Sequence, residues 1–228
     1  MPMFAIITAR GGSKRIPRKN IKEFCGKPIL VYSIEATQQA QIFDEIMVST
    51  DDTEIAEIAE QYGASVPFLR SAEAADDFAD TDAVLREVVQ EYKRRGTTIE
   101  NLCCLYPTAP FVTGEVLCRA YDLFRKTEAD ELVPVVRFSY PPQRGFVMDG
   151  DSLQYRWPEY KDMRSQDIEP IYHDAGQFYF MRAKALFRSS EDAYKRAAFI
   201  LDEMQVQDID TIEDWALAEL KFRMSRRM

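Results

Sequence analysis

Between Arg10 and Lys22 the chain carries six basic side chains, Arg10, Lys14, Arg15, Arg18, Lys19 and Lys22, and no acid occurs before Glu23. Within that block sit Gly11 and Gly12, a pair that lets a backbone turn tightly and aim its N–H groups at an anion. Positive charge around a flexible backbone cradle is the chemistry of polyphosphate binding. The whole chain has net charge −9; residues 1–22 carry +6, so the remainder carries −15. An acidic body with one cationic loop lacks the broad positive field that nucleic acid requires and suits a small anionic ligand. A basic run can also be a solvated surface; here the glycine pair and the strand before it favour a pocket.

Two common phosphate patterns are absent. A Walker A loop needs Gly-x-x-x-x-Gly-Lys-Ser/Thr, but Gly26-Lys27 is followed by Pro28, and Ile21 stands at the first glycine position. A dinucleotide fingerprint needs glycines that open a helix, and Gly11-Gly12 with Pro17 in the loop does not supply it. A long basic loop of this kind suits a nucleotide whose triphosphate lies across it while a second substrate attacks. Cys25, Cys103, Cys104 and Cys118 lack metal-ligand spacing, and Cys103 and Cys104, in an apolar run, read as buried thiols in a reducing cytoplasm. His173 is the single histidine, which excludes a histidine-rich metal site. No apolar run approaches the roughly 20 residues of a membrane span, and the apolar start reads as a strand rather than a signal peptide. The expected setting is cytoplasmic, with neither membrane nor nucleic acid as partner.

The elements that must position the loop alternate. Strands are expected at Met3–Ala9, Glu45–Thr50, Ser65–Leu69, Leu102–Tyr106, Leu132–Phe138 and Gln177–Met181. Pro28 opens a helix to about Gln39, Asp51 or Asp52 caps one over Thr53–Tyr62, and Asp80 or Thr81 caps one whose apolar face holds Val84, Leu85, Val88 and Tyr92. Pro107-Thr108-Ala109-Pro110 forces a loop before a helix ending near Thr127. The expected architecture is a single α/β domain over residues 1–228: a Rossmann-like, mostly parallel sheet with helices on both faces. Ligands bind outside the carboxyl ends of such strands, where the cationic turn, the Asp51-Asp52 turn and the Pro107–Pro110 turn all fall. Regularity breaks at Tyr140-Pro141-Pro142. Residues 139–172 read as an insert with a hairpin at Asp149-Gly150-Asp151, and Phe199–Val206 and a helix over Thr211–Arg223 finish the chain.

Gly11-Gly12-Ser13-Lys14-Arg15-Ile16-Pro17-Arg18-Lys19-Asn20-Ile21, followed by Gly26-Lys27-Pro28, resembles the nucleotide signature of the CMP-sialic-acid synthetases. Those cytidylyltransferases activate sugar acids with CTP on a nucleotidyltransferase-type fold. Arg70-Ser71-Ala72-Glu73, Leu105–Pro110, Asp174-Ala175-Gly176 and Asp208-Ile209-Asp210-Thr211 recur in the family's order, so the resemblance is essentially full length. Tyr172–Tyr179 and Asp208–Trp215 most resemble the pseudaminic acid branch.

The resemblance implies roles. Arg10, Ser13, Lys14 and Lys19 would contact the triphosphate, with Lys14 and Arg10 catalytic and the Gly11 and Gly12 amides completing the cradle beside Ala9. Asn20 and Arg70 would read cytosine, and Ala79 and Thr81 would close over the base. Tyr106, His173, Asp174, Gly176 and Gln177 would line the sugar-acid pocket, though a lone histidine such as His173 is more often structural than catalytic. Asp208 and Asp210, two apart, can share a magnesium ion. Their spacing alone favours a plainer role, Asp210 capping the last helix with Glu213 as its partner; the resemblance favours the metal. The implied reaction transfers CMP from CTP to the anomeric hydroxyl of a nine-carbon sugar acid of the pseudaminic type. N-acetylneuraminate, legionaminate or a deoxy-octulosonate are alternative acceptors, and a CTP-binding sensor without turnover is the non-enzymatic alternative. The insert at 139–172 would serve a homodimer.

Overall fold

The structure, a computed structural model, describes residues 2–71, 80–189 and 193–225. Ala79, and Ala72-Glu73 of the arginine motif, lie outside the described residues. In chain order the strands and helices are β1 (Met3–Thr8), β2 (Glu23–Phe24), β3 (Lys27–Pro28), α1 (Ile29–Ala40), β4 (Glu45–Ser49), α2 (Thr53–Gln61), α3 (Thr81–Arg94), β5 (Asn101–Leu105), α4 (Gly114–Thr127), β6 (Glu131–Arg137), β7 (Phe146–Asp149), β8 (Ser152–Tyr155), β9 (Tyr172–Asp174), β10 (Phe178–Arg182), β11 (Arg196–Ile200) and α5 (Ile212–Ser225).

Among the described residues the main sheet has seven strands in the order β11-β6-β10-β5-β1-β4, with β9 added alongside β6. Alternation along β1 explains how it is covered. Met3 and Ile7 join Leu30, Ile34, Ile55, Leu117 and Phe124, which come from α1, α2 and α4. Phe4 and Ile6 join Leu85, Val88 and Tyr92 of α3 on the opposite face. The expected apolar face of α3 is therefore the one buried, and Asp80 caps that helix by accepting from the Ala83 N–H at 2.6 Å. A third cluster joins Ile16 of the basic loop to Phe24, Ile29, Tyr32 and Phe111, and to Trp215, Ala218 and Phe222 of α5. Burying Ile16 contributes about 2 kcal/mol toward holding the loop.

Three local readings change. Ser65–Leu69 is not a strand: a single bridge joins Ser65 to Met47, because Pro67 has no N–H to extend the ladder. The sheet is mixed. β1 pairs in parallel with β4 and β5, and β11 with β6, but β10 runs antiparallel between β5 and β6. The segment after the insert returns as β9, antiparallel on β6, while the last strand starts at Arg196 and stops at Ile200. The hairpin appears as expected, β7 pairing with β8. It stands out from the sheet with Phe146, Met148 and Leu153 at least half exposed.

α2 begins at the turn that faces the basic loop. Asp52 accepts from the Ile55 N–H at 3.0 Å, and its carboxylate also pairs with Arg18. That pairing, chiefly the Arg18 hydrogen bond, holds the Asp52 carboxyl below its ordinary value of 3.8. A depressed folded-state pKa means the stabilisation is present above that value and is lost as pH falls through the folded value. Asp52→Ala is expected to cost about 1 kcal/mol at pH 7, read as a drop of roughly 2–4 °C in Tm. The gap to wild type narrows below about pH 4, and Asp52→Asn recovers part of the loss by keeping the cap.

Candidate active site

β1 ends at the carboxyl edge of the sheet, where the Ala9 N–H donates to the Ser49 carbonyl at 2.9 Å. From there the chain enters the basic loop. The Ser13 N–H turns back to the Gly11 carbonyl at 3.0 Å, and a short 3-10 turn over Lys19–Ile21 closes the loop. Gly11 is required by close approach: a Cβ there would come within 2.6 Å of Asp52 Oδ2, and the Gly11 N–H donates to Asp51 Oδ1 at 2.9 Å. A Cβ on Gly12 would meet nothing within 4 Å, so packing does not demand that glycine.

The loop divides its six cations. Arg18, in the left-handed region at φ 56, turns away to Asp52 and Glu54 and is a strut. Lys22 lies over the Trp215 ring, 5.5 Å from its centroid. Arg10, Lys14, Arg15 and Lys19 line a cavity of about 660 Å³ together with Ser13, Asn20, Arg70, Thr81, Tyr106 and Asp210. Five cations thus face one another across the cavity with one carboxylate among them, a field that calls for a polyanion.

Arg70, on the segment after α2, reaches the cavity alongside the end of β4, where its backbone N–H donates to the Thr50 carbonyl at 2.8 Å. Its Nη2 donates to the Ser49 carbonyl at 2.7 Å and its Nε to Ser49 Oγ at 3.2 Å. Burial pushes its pKa down, and Asp51 and Glu87 oppose that. Asn20 is buried, and its Nδ2 donates to the Arg10 carbonyl at 2.8 Å, tying the two ends of the loop. Thr81 Oγ1 lies 3.2 Å from the Tyr106 hydroxyl, which joins the start of α3 to the end of β5 above the cavity.

Asp208 and Asp210 flank Ile209, whose side chain is buried in the α5 cluster. The expected cap of α5 is made differently. Thr211 Oγ1 accepts from the Asp214 N–H at 3.2 Å while Asp214 Oδ2 accepts from the Thr211 N–H at 2.8 Å, a reciprocal box. Asp210 and Glu213 are therefore not needed as the cap, and Asp210 turns to the cations. Arg15 Nη2 lies 2.9 Å and Lys19 Nζ 3.6 Å from its Oδ1, and Lys19 also donates to the Ile209 carbonyl at 2.7 Å. Burial, and then the charge of Asp210, raise the Asp208 pKa. Among the described residues no cluster of three or more His, Cys, Asp and Glu could hold a metal. Magnesium does not need one: it takes one or two carboxylates and completes its shell with water and phosphate oxygens. Asp208 and Asp210 are the carboxylates that could supply such ligands.

Asp208 lines a second cavity, of about 310 Å³, with His173, Asp174, Gly176 and Lys221. The two carboxylates thus stand at neighbouring cavities. Asp174 Oδ1 accepts from the Gly176 N–H at 2.8 Å, and His173 packs on Phe138 with ring centroids 4.9 Å apart. Four expected site residues among those described, Ala9, Gly11, Gly12 and Gln177, line neither cavity. Ala9 is fully buried, and Gln177 is buried with its Nε2 donating to the Gln205 carbonyl at 3.3 Å. Thr8, Arg15 and Thr108, by contrast, line the first cavity. Arg15 sat within the basic run, and Thr8 and Thr108 sat at strand ends on the predicted ligand edge.

Residues 4–220 match the cytidylyltransferase family. A pseudaminic acid cytidylyltransferase of Campylobacter jejuni is 41% identical, with 99% of this chain and 98% of its own length covered. A CMP-N,N'-diacetyllegionaminic acid synthase of Legionella pneumophila is 33% identical over 96% of this chain and 95% of its own. A solved CMP:2-keto-3-deoxy-manno-octonic acid synthetase complexed with CTP superposes over the whole of both chains with TM-score 0.72 at 16% identity, a likeness of fold. No helix among the described residues is long and apolar enough to cross a membrane. The chain therefore belongs to the cytidylyltransferase family, a group of nucleotidyltransferase enzymes, as the Arg10–Ile21 loop led us to expect.

Proposed function

We propose that this protein transfers CMP from CTP to the anomeric hydroxyl of a nine-carbon 2-keto sugar acid, pseudaminic acid by preference, and releases pyrophosphate. The observation that carries the nucleotide half is the convergence of five cations and Asp210 on one cavity of nucleotide size. The sugar half rests on the 41% identity, over nearly full length, to a relative named for pseudaminic acid.

Arg10, Ser13, Lys14 and Lys19 hold the triphosphate, with the Gly12 amide beneath it; the Gly11 N–H, expected there as well, is taken by Asp51. Asn20 and Arg70 face the cytosine, and Thr81, with Ala79 before it, closes over the base. The sugar acid occupies the second cavity against His173, Asp174 and Gly176, with Tyr106 between it and the nucleotide. Gln177 acts from behind this wall, its carbonyl accepting from the Tyr106 N–H at 2.8 Å. The anomeric oxygen attacks the α-phosphorus, the bond to the β-phosphate bridging oxygen breaks, and the hydroxyl proton leaves to solvent. Asp208 and Asp210 would hold magnesium, which when bound neutralises charge on the departing pyrophosphate. Catalysis is mostly positioning plus charge stabilisation, in which Lys14 meets charge developing at the α-phosphate and Arg10 clamps phosphate oxygens. The free cysteines, two of them wholly buried, suit a reducing cytoplasm.

The insert at residues 139–172 serves a homodimer. It exposes Tyr140, Phe146, Met148, Leu153 and Trp157, apolar surface that a second copy would cover. Sedimentation at micromolar protein is expected to show a dimer, and M148D/L153D to yield monomer; a monomeric wild type contradicts the reading.

Lys14→Ala is expected to lower kcat by at least about 100-fold with Tm unchanged. Asp208→Asn with Asp210→Asn should abolish magnesium-dependent pyrophosphate release by a similar factor, on the order of 100-fold. A panel of pseudaminic, legionaminic, N-acetylneuraminic and deoxy-octulosonic acids with CTP, scored by pyrophosphate release, should rank pseudaminic acid first in kcat/KM. Release with none of them would leave a CTP-binding protein without turnover.

A further inference from the structure

Tyr179 joins the two cavities without lining either. β10 runs antiparallel to β5 with Tyr179 opposite Cys104, so its side chain leaves the sheet on the face that also carries Tyr106, two residues on. Phe178 and Phe180 point the other way, fully buried in the main core. The Tyr179 ring meets the Tyr106 ring edge-on, with centroids 5.7 Å apart. Its hydroxyl donates to the Asp174 carboxylate, 2.9 Å and 3.0 Å from the two oxygens. Asp174 Oδ1 also accepts from the Gly176 N–H, and Gly176 adopts φ +61, a conformation that costs glycine little. His173 Nδ1 lies 2.8 Å from the Asp174 carbonyl. Carboxylate, turn and imidazole therefore form one unit, anchored on a phenol. In the other direction the Tyr106 hydroxyl reaches Thr81.

We infer that Tyr179 is a positioning residue for the sugar acid: its hydroxyl sets the Asp174 carboxylate and its ring sets the Tyr106 phenol, so that the walls of both cavities are registered for one acceptor. The inference rests on the CMP-transfer reading above. A carboxylate held by a phenol on one side offers its remaining lone pairs in a fixed direction. The group it would recognise there is a donor, an amide N–H or a hydroxyl of the sugar acid. Burial first, and then the neighbouring Tyr106 and Asp174, hold the Tyr179 pKa far above its ordinary value. The phenol thus remains a donor at every working pH.

Tyr179→Phe keeps the ring contact with Tyr106 and removes the bond to Asp174. With pseudaminic acid and CTP as the substrates, the variant is expected to raise KM for the sugar acid by about tenfold. KM for CTP and calorimetric CTP affinity should stay within about twofold of wild type, with Tm unchanged. Asp174→Asn should raise the same KM, and Y179F/D174N should be no worse than the poorer single variant, because the two groups act through one bond. If Y179F does not fold, the selective effect of D174N on the sugar-acid KM carries the test. An unchanged sugar-acid KM overturns the inference, as do equal rises in both KM values or additive effects in the double variant. A wild-type protein that binds CTP but releases no pyrophosphate with any sugar acid overturns the transfer reading, and this assignment with it.

Discussion

Like-charge repulsion inside the basic loop is the constraint on which the rest of the structure turns. Two unit charges about 5 Å apart repel by roughly 3 kcal/mol at an effective dielectric of about 20, and the loop gathers its cations around one cavity before any ligand arrives. Acids from two distant parts of the chain, residues 51–54 and Asp210, meet the loop. Asp52 and Glu54 take Arg18, Asp51 takes the Gly11 N–H, and Asp210 takes Arg15 and Lys19. These contacts are not equivalent. In the Arg18–Asp52 pair the side chains are 40% and 20% exposed, and in the Arg15–Asp210 pair 67% and 38%. The first is shielded enough to shape the loop. The second is screened by solvent and worth little, so phosphate oxygens can replace it at small cost.

Charge pairing alone could not hold such a loop in place; apolar burial does. Ile16, in the middle of the basic run, is 1% exposed. It enters a cluster in which Phe24 meets Trp215 and Phe222 edge-on at 5.5 Å and 5.4 Å, and Tyr32 meets Phe222 at 5.0 Å. Such ring contacts add about 0.5–1.5 kcal/mol each beyond their area. The same cluster buries Ile209 and so fixes the pair of aspartates on either side of it. One apolar anchor thus brings the N-terminal loop and the C-terminal segment together, nearly 200 positions apart in sequence.

The antiparallel β10 has a comparable effect on the other side of the site. A parallel strand there would carry its N-terminal turn to the far edge of the sheet. Running backwards between β5 and β6, β10 instead starts at the ligand edge. His173–Gly176 therefore arrive beside Tyr106, and Tyr179 faces it. The mixed topology is what puts the expected sugar residues next to the expected nucleotide residues.

Much was legible in the sequence because it depended on local rules. Continuous apolar runs marked β1, β4, β5 and β6, Asp52 and Asp80 marked helix starts, and the Arg10–Asn20 spacing marked an anion cradle and its family. The sequence likewise announced the Asp149-Gly150 hairpin. What it could not divide was the basic run itself. Arg18 and Arg15 differ by three positions and share a charge, yet one is a strut and the other faces the cavity, because that depends on where Asp52 and Asp210 come to lie. Spacing pointed to Asp210 with Glu213 as the cap of α5, but Thr211 with Asp214 has the same spacing, and the reciprocal bonds of Thr211 and Asp214 left Asp210 to the cations. The direction of β10 was hidden because its apolar run reads the same either way. By itself the sequence determined which residues carry the charge and which segments are stiff; only the tertiary structure decided which charges meet, because pairing across a fold is set by packing and not by spacing.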